Sequence, residues 1–275
     1  MTTTTISQAL ATAQTLGLER LDAQLLLLHA LARPDSERAW LLAHDADELP
    51  QTIVDVFRSF SLRRAAGEPL AYIVGYKDFF DLRFSVDARV LVSRPDTETL
   101  VYWALDVLTD VAEPAVLDLG TGSGAVAIAV ARSLKAHVIA TDYSVDALAV
   151  ASQNARQLGA QVAFVRSNWL DKVNGYYHLI TSNPPYIASA DSHLAALTHE
   201  PLSALTAGND GLSDIRQIVH QAAGHLYPGG WLLLEHGYEQ ASAVRNLLSQ
   251  RGFRQVQSRI DLAGIARCSG GKWDE

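Results

Sequence analysis

Cysteine and methionine are almost missing from this chain of 275 residues, which contains one of each. The single cysteine, Cys268, excludes an intramolecular disulfide and a metal site built from several cysteines. It lies in a segment predicted to be a strand, where a small core residue is the simplest interpretation. The histidines are not grouped with other potential metal ligands in the sequence either, and we expect no bound metal.

Long apolar runs and an excess of basic residues are also lacking. No apolar run approaches the roughly 20 residues of a membrane span, and the N-terminus lacks the features of a signal peptide. We therefore expect a cytoplasmic protein with no membrane partner. The net charge of −8 disfavours general attraction to phosphate backbones. We expect no direct nucleic-acid binding, and we expect a monomer.

The composition is typical of a globular enzyme, with 48 % apolar and 19 % charged residues. The chain is long enough for two cores. Residues 1–74 show apolar residues at helical spacing, beginning with Ile6, Leu10 and Ala13, and are predicted to form a small all-helical N-terminal domain. Residues 75–95 are predicted to be a linker that contains a β-hairpin, because apolar residues alternate around Asp81.

Residues 96–275 are predicted to form an α/β domain in which apolar runs alternate with helical patterns. The predicted strands are 116–119, 137–141, 162–165, 179–182, 231–235, 253–260 and 265–268, and the predicted helices are 124–134, 144–158, 212–226 and 238–251. This alternation predicts parallel strands with right-handed crossovers, as in a doubly wound sheet. The last two strands are joined by a short link, so they are predicted to pair antiparallel.

A glycine-rich segment connects the first of these strands to its helix. It reads Asp118-Leu119-Gly120-Thr121-Gly122-Ser123-Gly124, and its glycines allow a tight turn and close approach to a ligand. Two ligands are compatible with it, a dinucleotide and S-adenosylmethionine. In either case Asp142, about 20 residues further on, could bind ribose hydroxyls. With S-adenosylmethionine, Asp118 would meet the methionyl ammonium group.

Two residues after the third strand could complete an adenine site. Asn168 offers a polar contact and Trp169 an aromatic wall. Ordinary core packing explains Trp169 equally well.

The segment Asn183-Pro184-Pro185-Tyr186 follows the fourth predicted strand. Its prolines fix two φ angles and remove two backbone donors, so the segment is a rigid loop. It lies at the carboxyl edge of the sheet, where such folds bind ligands. The Asn183 Oδ1 and the Pro184 carbonyl oxygen could accept hydrogen bonds from the two N–H groups of a planar amide. The Tyr186 ring could stack on that amide. The alternative interpretation is a strand terminator with surface prolines. The long segment 188–211 is interpreted as part of a substrate channel.

The chain resembles the class I methyltransferases, and among them the release factor glutamine methyltransferases (the PrmC/HemK family). The resemblance is carried by 67–73, Arg-Pro-Asp-Thr-Glu at 94–98, 118–124, 182–187, 200–201, 204–205, 208–212, and 261–264 with Arg267. It implies a Rossmann-like catalytic domain over 96–275, and an N-terminal domain that recognises the substrate. It also implies S-adenosylmethionine as cofactor, with S-adenosylhomocysteine as product. The implied substrate is the glutamine of the Gly-Gly-Gln motif in class 1 peptide chain release factors, which act in translation termination.

The resemblance also assigns roles to individual residues. The implied catalytic residues are Asn183, Pro184 and Tyr186, and substrate binding adds Pro185. The implied cofactor-binding residues are Asp118, Gly120, Thr121, Gly122, Ser123, Gly124, Asp142, Asn168, Trp169 and Asn183.

Two other functions are compatible with parts of the sequence. An N-methyltransferase acting on an exocyclic amino group of DNA or RNA shares the Asn-Pro-Pro-Tyr loop, but the acidic charge disfavours it. A non-catalytic binding protein is disfavoured because the glycine-rich segment and the Asn-Pro-Pro-Tyr loop are both intact.

Overall fold

The computed structural model describes residues 4–274. The chain divides into two compact units, one that ends at Tyr76 and one that begins at Lys77. In the described part of the chain, no helix combines the length and the apolar composition that crossing a membrane requires.

The N-terminal unit is built from helices, as predicted. They are α1 (Ile6–Thr15), α2 (Arg20–Ala30), α3 (Arg38–Ala43), α4 (Gln51–Ala65) and α5 (Leu70–Val74). The Thr5 hydroxyl accepts a hydrogen bond from the Gln8 backbone N–H, and the Gln8 side chain accepts one from the Thr5 N–H, so α1 begins with a capping box. The core of this unit centres on α2, where Leu26, Leu27 and Leu28 are fully buried.

A short antiparallel ladder in this unit was not predicted by the helical pattern. Its strands are β1 (Thr4–Thr5) and β2 (Glu48–Leu49). Each is two residues long, too short to show the alternation by which strands are recognised in a sequence.

The second unit contains the remaining elements. Its strands are β3 (Tyr76–Phe79, which begins at the unit boundary), β4 (Leu82–Ser85), β5 (Ala115–Leu119), β6 (His137–Asp142), β7 (Val162–Arg166), β8 (Tyr177–Ser182), β9 (Leu226–Glu235), β10 (Arg254–Ile260) and β11 (Ala266–Lys272). Its helices are α6 (Glu98–Val107), α7 (Ala125–Ser133), α8 (Val145–Gln157), α9 (Ser213–Ala222) and α10 (Ala241–Arg251). Strands β3 and β4 form the predicted hairpin.

The main sheet has the strand order β10-β11-β9-β8-β5-β6-β7. Strands β5 to β9 are parallel, and β11 pairs antiparallel with both β9 and β10. The predicted doubly wound sheet with an antiparallel last strand is therefore confirmed. Its strands appear as apolar runs because both faces are covered, and Val116, Leu117 and Leu119 of β5 are fully buried.

The strand order reverses at β5, because β6 lies on one side of it and β8 on the other. The loops after β5 and β8 therefore leave the sheet in opposite directions and open a crevice at its carboxyl edge. The glycine-rich segment and the Asn-Pro-Pro-Tyr loop follow these two strands.

Candidate active site

The predicted cofactor residues other than Gly124 lie around one cavity of about 360 Å³. The predicted residues that line it are Asp118, Gly120, Thr121, Gly122, Ser123, Asp142, Asn168, Trp169, Asn183 and Pro185. They come from the carboxyl ends of β5 and β6 and from the loops after β5, β7 and β8. The sheet thus brings together side chains that are far apart in the sequence.

A second cavity, of about 80 Å³, lies beside the first. Asn183 lines both cavities, whereas Tyr186 lines only the smaller one. Among the residues that the structure describes, Gly124 and Pro184 are in the wall of neither. Gly124 is instead a packing position, because an added Cβ would lie 2.8 Å from Ile128 Cδ1.

Asp118 is a buried carboxylate at the end of β5. Its Oδ2 accepts a hydrogen bond from the Thr121 hydroxyl at 2.7 Å, and its Oδ1 accepts one from the Thr181 hydroxyl at 2.8 Å. Burial raises the pKa of Asp118 to about 6, although these two hydroxyl donors oppose the shift. Both protonation states are therefore accessible near neutral pH.

The backbone N–H groups of the glycine-rich loop are largely used within the protein. The Thr121 N–H donates to the Thr141 carbonyl at 2.9 Å, and the Gly124 N–H donates to the Thr121 carbonyl at 2.8 Å. The Gly122 N–H donates to Asp142 Oδ2 at 2.9 Å. These are the groups with which such a loop would bind a pyrophosphate, so the loop is poorly prepared for a dinucleotide.

The charge of the larger cavity points the same way. Asp118, Asp142 and Asp214 line it, and burial raises the pKa of each of these carboxyl groups. Arg89 is the one cationic side chain among the described lining residues, and it pairs with Asp87. This acidic wall fits a ligand with an ammonium group and a sulfonium, and it repels a pyrophosphate. S-adenosylmethionine therefore fits the residues that are present better than a dinucleotide does.

Trp169 lines the cavity and also packs against the hydrophobic core. A position in the wall of a ligand site and ordinary core packing, the two interpretations offered by the sequence, are therefore compatible with each other. The Trp169 Nε1 donates to Asp214 Oδ1 at 3.3 Å. Gly120 has φ of +66°, and an added Cβ would lie 3.1 Å from the Trp169 ring, so both the backbone conformation and the close approach favour glycine. The neighbouring Asn168 donates to Asp171.

The Asn183 side chain is held by Thr97, because Nδ2 donates to the Thr97 hydroxyl at 3.3 Å. Within residues 4–274, no group donates to Asn183 Oδ1 or to the Pro184 carbonyl. Neither oxygen is therefore occupied by a donor from this part of the chain, but only Asn183 lines a cavity. Tyr186 is held through its carbonyl, which accepts a hydrogen bond from Gln240 Nε2 at 3.0 Å.

Part of the segment 188–211 borders both cavities. Pro201 and Ser203 line the larger one, Leu197 and Leu205 line the smaller one, and Ala204 lines both. The segment is anchored by Glu200, a buried residue whose carboxylate pairs with Arg94 and accepts a hydrogen bond from the Val92 N–H at 3.1 Å.

Several residues of this site were missed by the sequence reasoning. They are Thr97, Thr181, Asp214 and Gln240. Thr97 carries the clearest signal, because it lies in the Arg-Pro-Asp-Thr-Glu stretch. The others are ordinary polar residues, and only their position around the loops marks them. Across the described range 4–274, no group of three or more histidine, cysteine or acidic residues could hold a metal ion.

Comparison with known proteins gives matches over nearly the whole chain. The family model described as "Methyltransferase small domain" matches residues 96–209, and the one described as "PrmC N-terminal domain" matches residues 3–75. The release factor glutamine methyltransferase of Bordetella pertussis (strain Tohama I) is 50% identical over 260 residues, which cover 93% of this chain and 95% of the relative. That of Burkholderia pseudomallei is 46% identical over 266 residues, with 93% and 92% covered.

A solved structure has a similar fold. The crystal structure of a methyltransferase from Pyrococcus furiosus aligns with a TM-score of 0.55 at 18% identity, covering 79% of this chain and 98% of that chain. The sheet, the loops at its switch point and these matches define a methyltransferase with a Rossmann-like fold. More specifically, the chain belongs to the release factor glutamine methyltransferase family. The family predicted from the sequence is therefore confirmed.

Proposed function

We propose that this protein transfers a methyl group from S-adenosylmethionine to the side-chain amide nitrogen of a glutamine. The proposed glutamine is that of the Gly-Gly-Gln motif in class 1 release factors of translation termination. The observation that carries the proposal is the position of Asn183, which lines both the larger, acidic cavity and the smaller one beside it. An acceptor group in the smaller cavity and a donor in the larger one would meet at this side chain.

The larger cavity is the proposed cofactor site. Asp118 would bind the methionyl ammonium group, Asp142 the ribose hydroxyls, and Trp169 with Asn168 the adenine. When bound, S-adenosylmethionine supplies a methyl group on a positively charged sulfur, so the protein needs neither a metal nor a covalent intermediate.

The smaller cavity is the proposed site of the glutamine side chain. An amide nitrogen is a poor nucleophile, because its lone pair is delocalised into the carbonyl group. Asn183 Oδ1 and the Pro184 carbonyl oxygen would accept hydrogen bonds from the two N–H groups of this amide. These hydrogen bonds would orient the nitrogen and stabilise the positive charge that develops on it during methyl transfer. Tyr186 would form a wall against the planar amide. Orientation of this kind can account for several kcal/mol, within a ceiling of about 7–11 kcal/mol.

The N-terminal helical unit is proposed to recognise the release factor. Its match to the "PrmC N-terminal domain" model supports this role, and exposed leucines such as Leu42 and Leu62 offer apolar contact area. Replacing both leucines by serine should raise the KM for the release factor while leaving S-adenosylhomocysteine affinity unchanged. An unchanged KM would contradict the involvement of these side chains.

The decisive experiment uses tritiated S-adenosylmethionine with either a purified release factor or total RNA. We expect label in the release factor, and label only in RNA would overturn the proposed function. The Asn183→Ala variant should lose about 10²–10³-fold in kcat, as expected when a group that stabilises the transition state is removed. Its affinity for S-adenosylhomocysteine should stay within a few fold. Asn246→Ala, an exposed position on α10, is the matched control and should behave as wild type.

A further inference from the structure

Glu235 is a buried carboxyl group that the proposed reaction does not use directly. It is the last residue of β9 and is 2 % exposed. Its Oε2 has no hydrogen-bond partner among residues 4–274. A buried carboxyl group with an unpaired oxygen destabilises a fold, and an apolar residue of similar volume is often no worse. Its presence here therefore points to a role other than stability.

The sheet places Glu235 beside the Asn-Pro-Pro-Tyr loop. Strands β8 and β9 are parallel, and Ser182 pairs with Leu234. The next residues along the two strands are Asn183 and Glu235, so both lie at the same carboxyl edge. The hydroxyl groups of Thr97 and Tyr186 are close enough to the Glu235 carboxyl group to lower its pKa against the effect of burial.

Thr97 is a neighbour of both this carboxyl group and Asn183. Thr97 is 3 % exposed, and its Oγ1 accepts a hydrogen bond from Asn183 Nδ2 at 3.3 Å. A threonine hydroxyl has one hydrogen to donate and two lone pairs to accept with. When the hydrogen is donated to Glu235, the hydroxyl can only accept from Asn183, which fixes Nδ2 toward Thr97 and Oδ1 away from it.

We propose that Glu235 is a positioning residue that, acting through the Thr97 hydroxyl, keeps the Asn183 amide oriented with Oδ1 toward the methyl acceptor. The inference rests on the proposed function and adds to it the reason why the Asn183 side-chain amide does not rotate by 180°, which would exchange Oδ1 and Nδ2. Without an acceptor at position 235, the Thr97 hydroxyl would donate to Asn183 Oδ1. The Asn183 side chain would then present its NH₂ group to the N–H groups of the methyl-accepting amide. That contact is repulsive, because hydrogen-bond donors face each other.

The first test replaces Glu235 by methionine, which removes the acceptor and keeps a similar volume. We expect the Glu235→Met variant to lose about 10- to 100-fold in kcat, the scale of a misplaced catalytic group. The KM values for S-adenosylmethionine and for the release factor should change little. Glu235→Gln keeps one acceptor oxygen and should lose less. Glu239→Met, at an exposed position four residues further on, is the matched control and should behave as wild type.

A double-mutant cycle separates positioning from a general structural role. Aspartate at position 183 presents an oxygen to the methyl acceptor in either orientation, so rotation of its carboxylate by 180° has no effect. Glu235→Met should therefore cost about threefold or less in kcat when it is introduced into the Asn183→Asp variant, since coupled residues are not additive. The same loss in both backgrounds, or an unchanged kcat in the wild-type background, would overturn the inference.

A second variant keeps the inference testable if Glu235→Met does not fold. Thr97→Val removes the linking hydroxyl and should also lower kcat, whereas Thr97→Ser should lose less. Equal kcat values for the valine and serine variants would overturn the inference. Wild-type enzyme is assayed first with tritiated S-adenosylmethionine and release factor. A lack of label at that stage would overturn the proposed function and this inference with it, whereas the outcomes above overturn the inference alone.

Discussion

The protonation of Asp118 should control how strongly the protein binds its cofactor. Burial raises the pKa of this carboxyl group to about 6. If Asp118 binds the methionyl ammonium group, only its ionised form binds well. Affinity should therefore rise with pH until Asp118 is fully ionised and then become constant, and binding below that point should release a proton.

The size of the effect follows from the pKa. At about pH 5, one unit below it, about one-tenth of Asp118 is ionised, so the Kd should be about tenfold weaker than at about pH 8, a difference of about 1.4 kcal/mol. At a pH equal to the pKa, about half a proton should be released for each ligand bound.

S-adenosylhomocysteine is a suitable probe, because it carries the same ammonium group and is not consumed. Titration calorimetry from about pH 5 to about pH 8, in two buffers with different ionisation heats, gives both the Kd and the number of protons released. Asp118→Asn should bind more weakly and lose the pH dependence between these limits. Asp214→Asn is the matched control, because it removes a carboxylate from the same cavity and should keep the pH dependence.

A Kd that does not change with pH in the wild type would refute the assignment of Asp118 to the ammonium group. So would an Asp118→Asn variant that retains the full pH dependence. If the Asp214→Asn variant instead loses it, the ammonium group is bound at Asp214.

Two further predictions concern stability and can be tested by urea unfolding. Gly124 has φ of +84°, and an added Cβ would meet Ile128, so Gly124→Ala should cost about 2–4 kcal/mol from strain and overpacking. Gly122→Ala, with φ of +56° and open space around the added Cβ, should cost about 1 kcal/mol, and equal losses would contradict this. Burial raises the pKa of Glu235 from 4.5 to about 7, so its neutral form is favoured in the folded state. Wild type should lose stability relative to Glu235→Gln as pH rises through this window, by up to about 1.4 kcal/mol per pH unit, and a constant difference would refute the shift.

The strand and helix pattern of the second unit could be predicted because it is local. Apolar runs mark buried strands, and glycine or proline marks where they end. The predicted strand at 231–235 is an informative exception, because β9 begins at Leu226. Its first residues include Pro228, Gly229 and Gly230, which usually interrupt a strand. Pairing with β8, which includes an irregularity between Tyr177 and Leu179, keeps this segment in the sheet.

The candidate site was predictable where a residue type is unusual in its context. Three glycines between a strand and a helix, and two prolines after an asparagine, restrict the backbone whatever surrounds them. The supporting side chains carry no such signal. Thr97 and Asn183 are 86 positions apart in the chain, and Thr181 and Asp118 are 63 apart.

The sequence by itself determined the class of fold, the family and the two loops that border the site, since each depends on local periodicity or on a short motif. Only the tertiary structure decided how those loops are held and charged. It placed the hydroxyl groups of Thr121 and Thr181 on Asp118, and that of Thr97 next to Asn183. It also put Asn183 between two cavities. The physical reason is that hydrogen bonds and burial between distant residues depend on strand order and register, which no local pattern specifies.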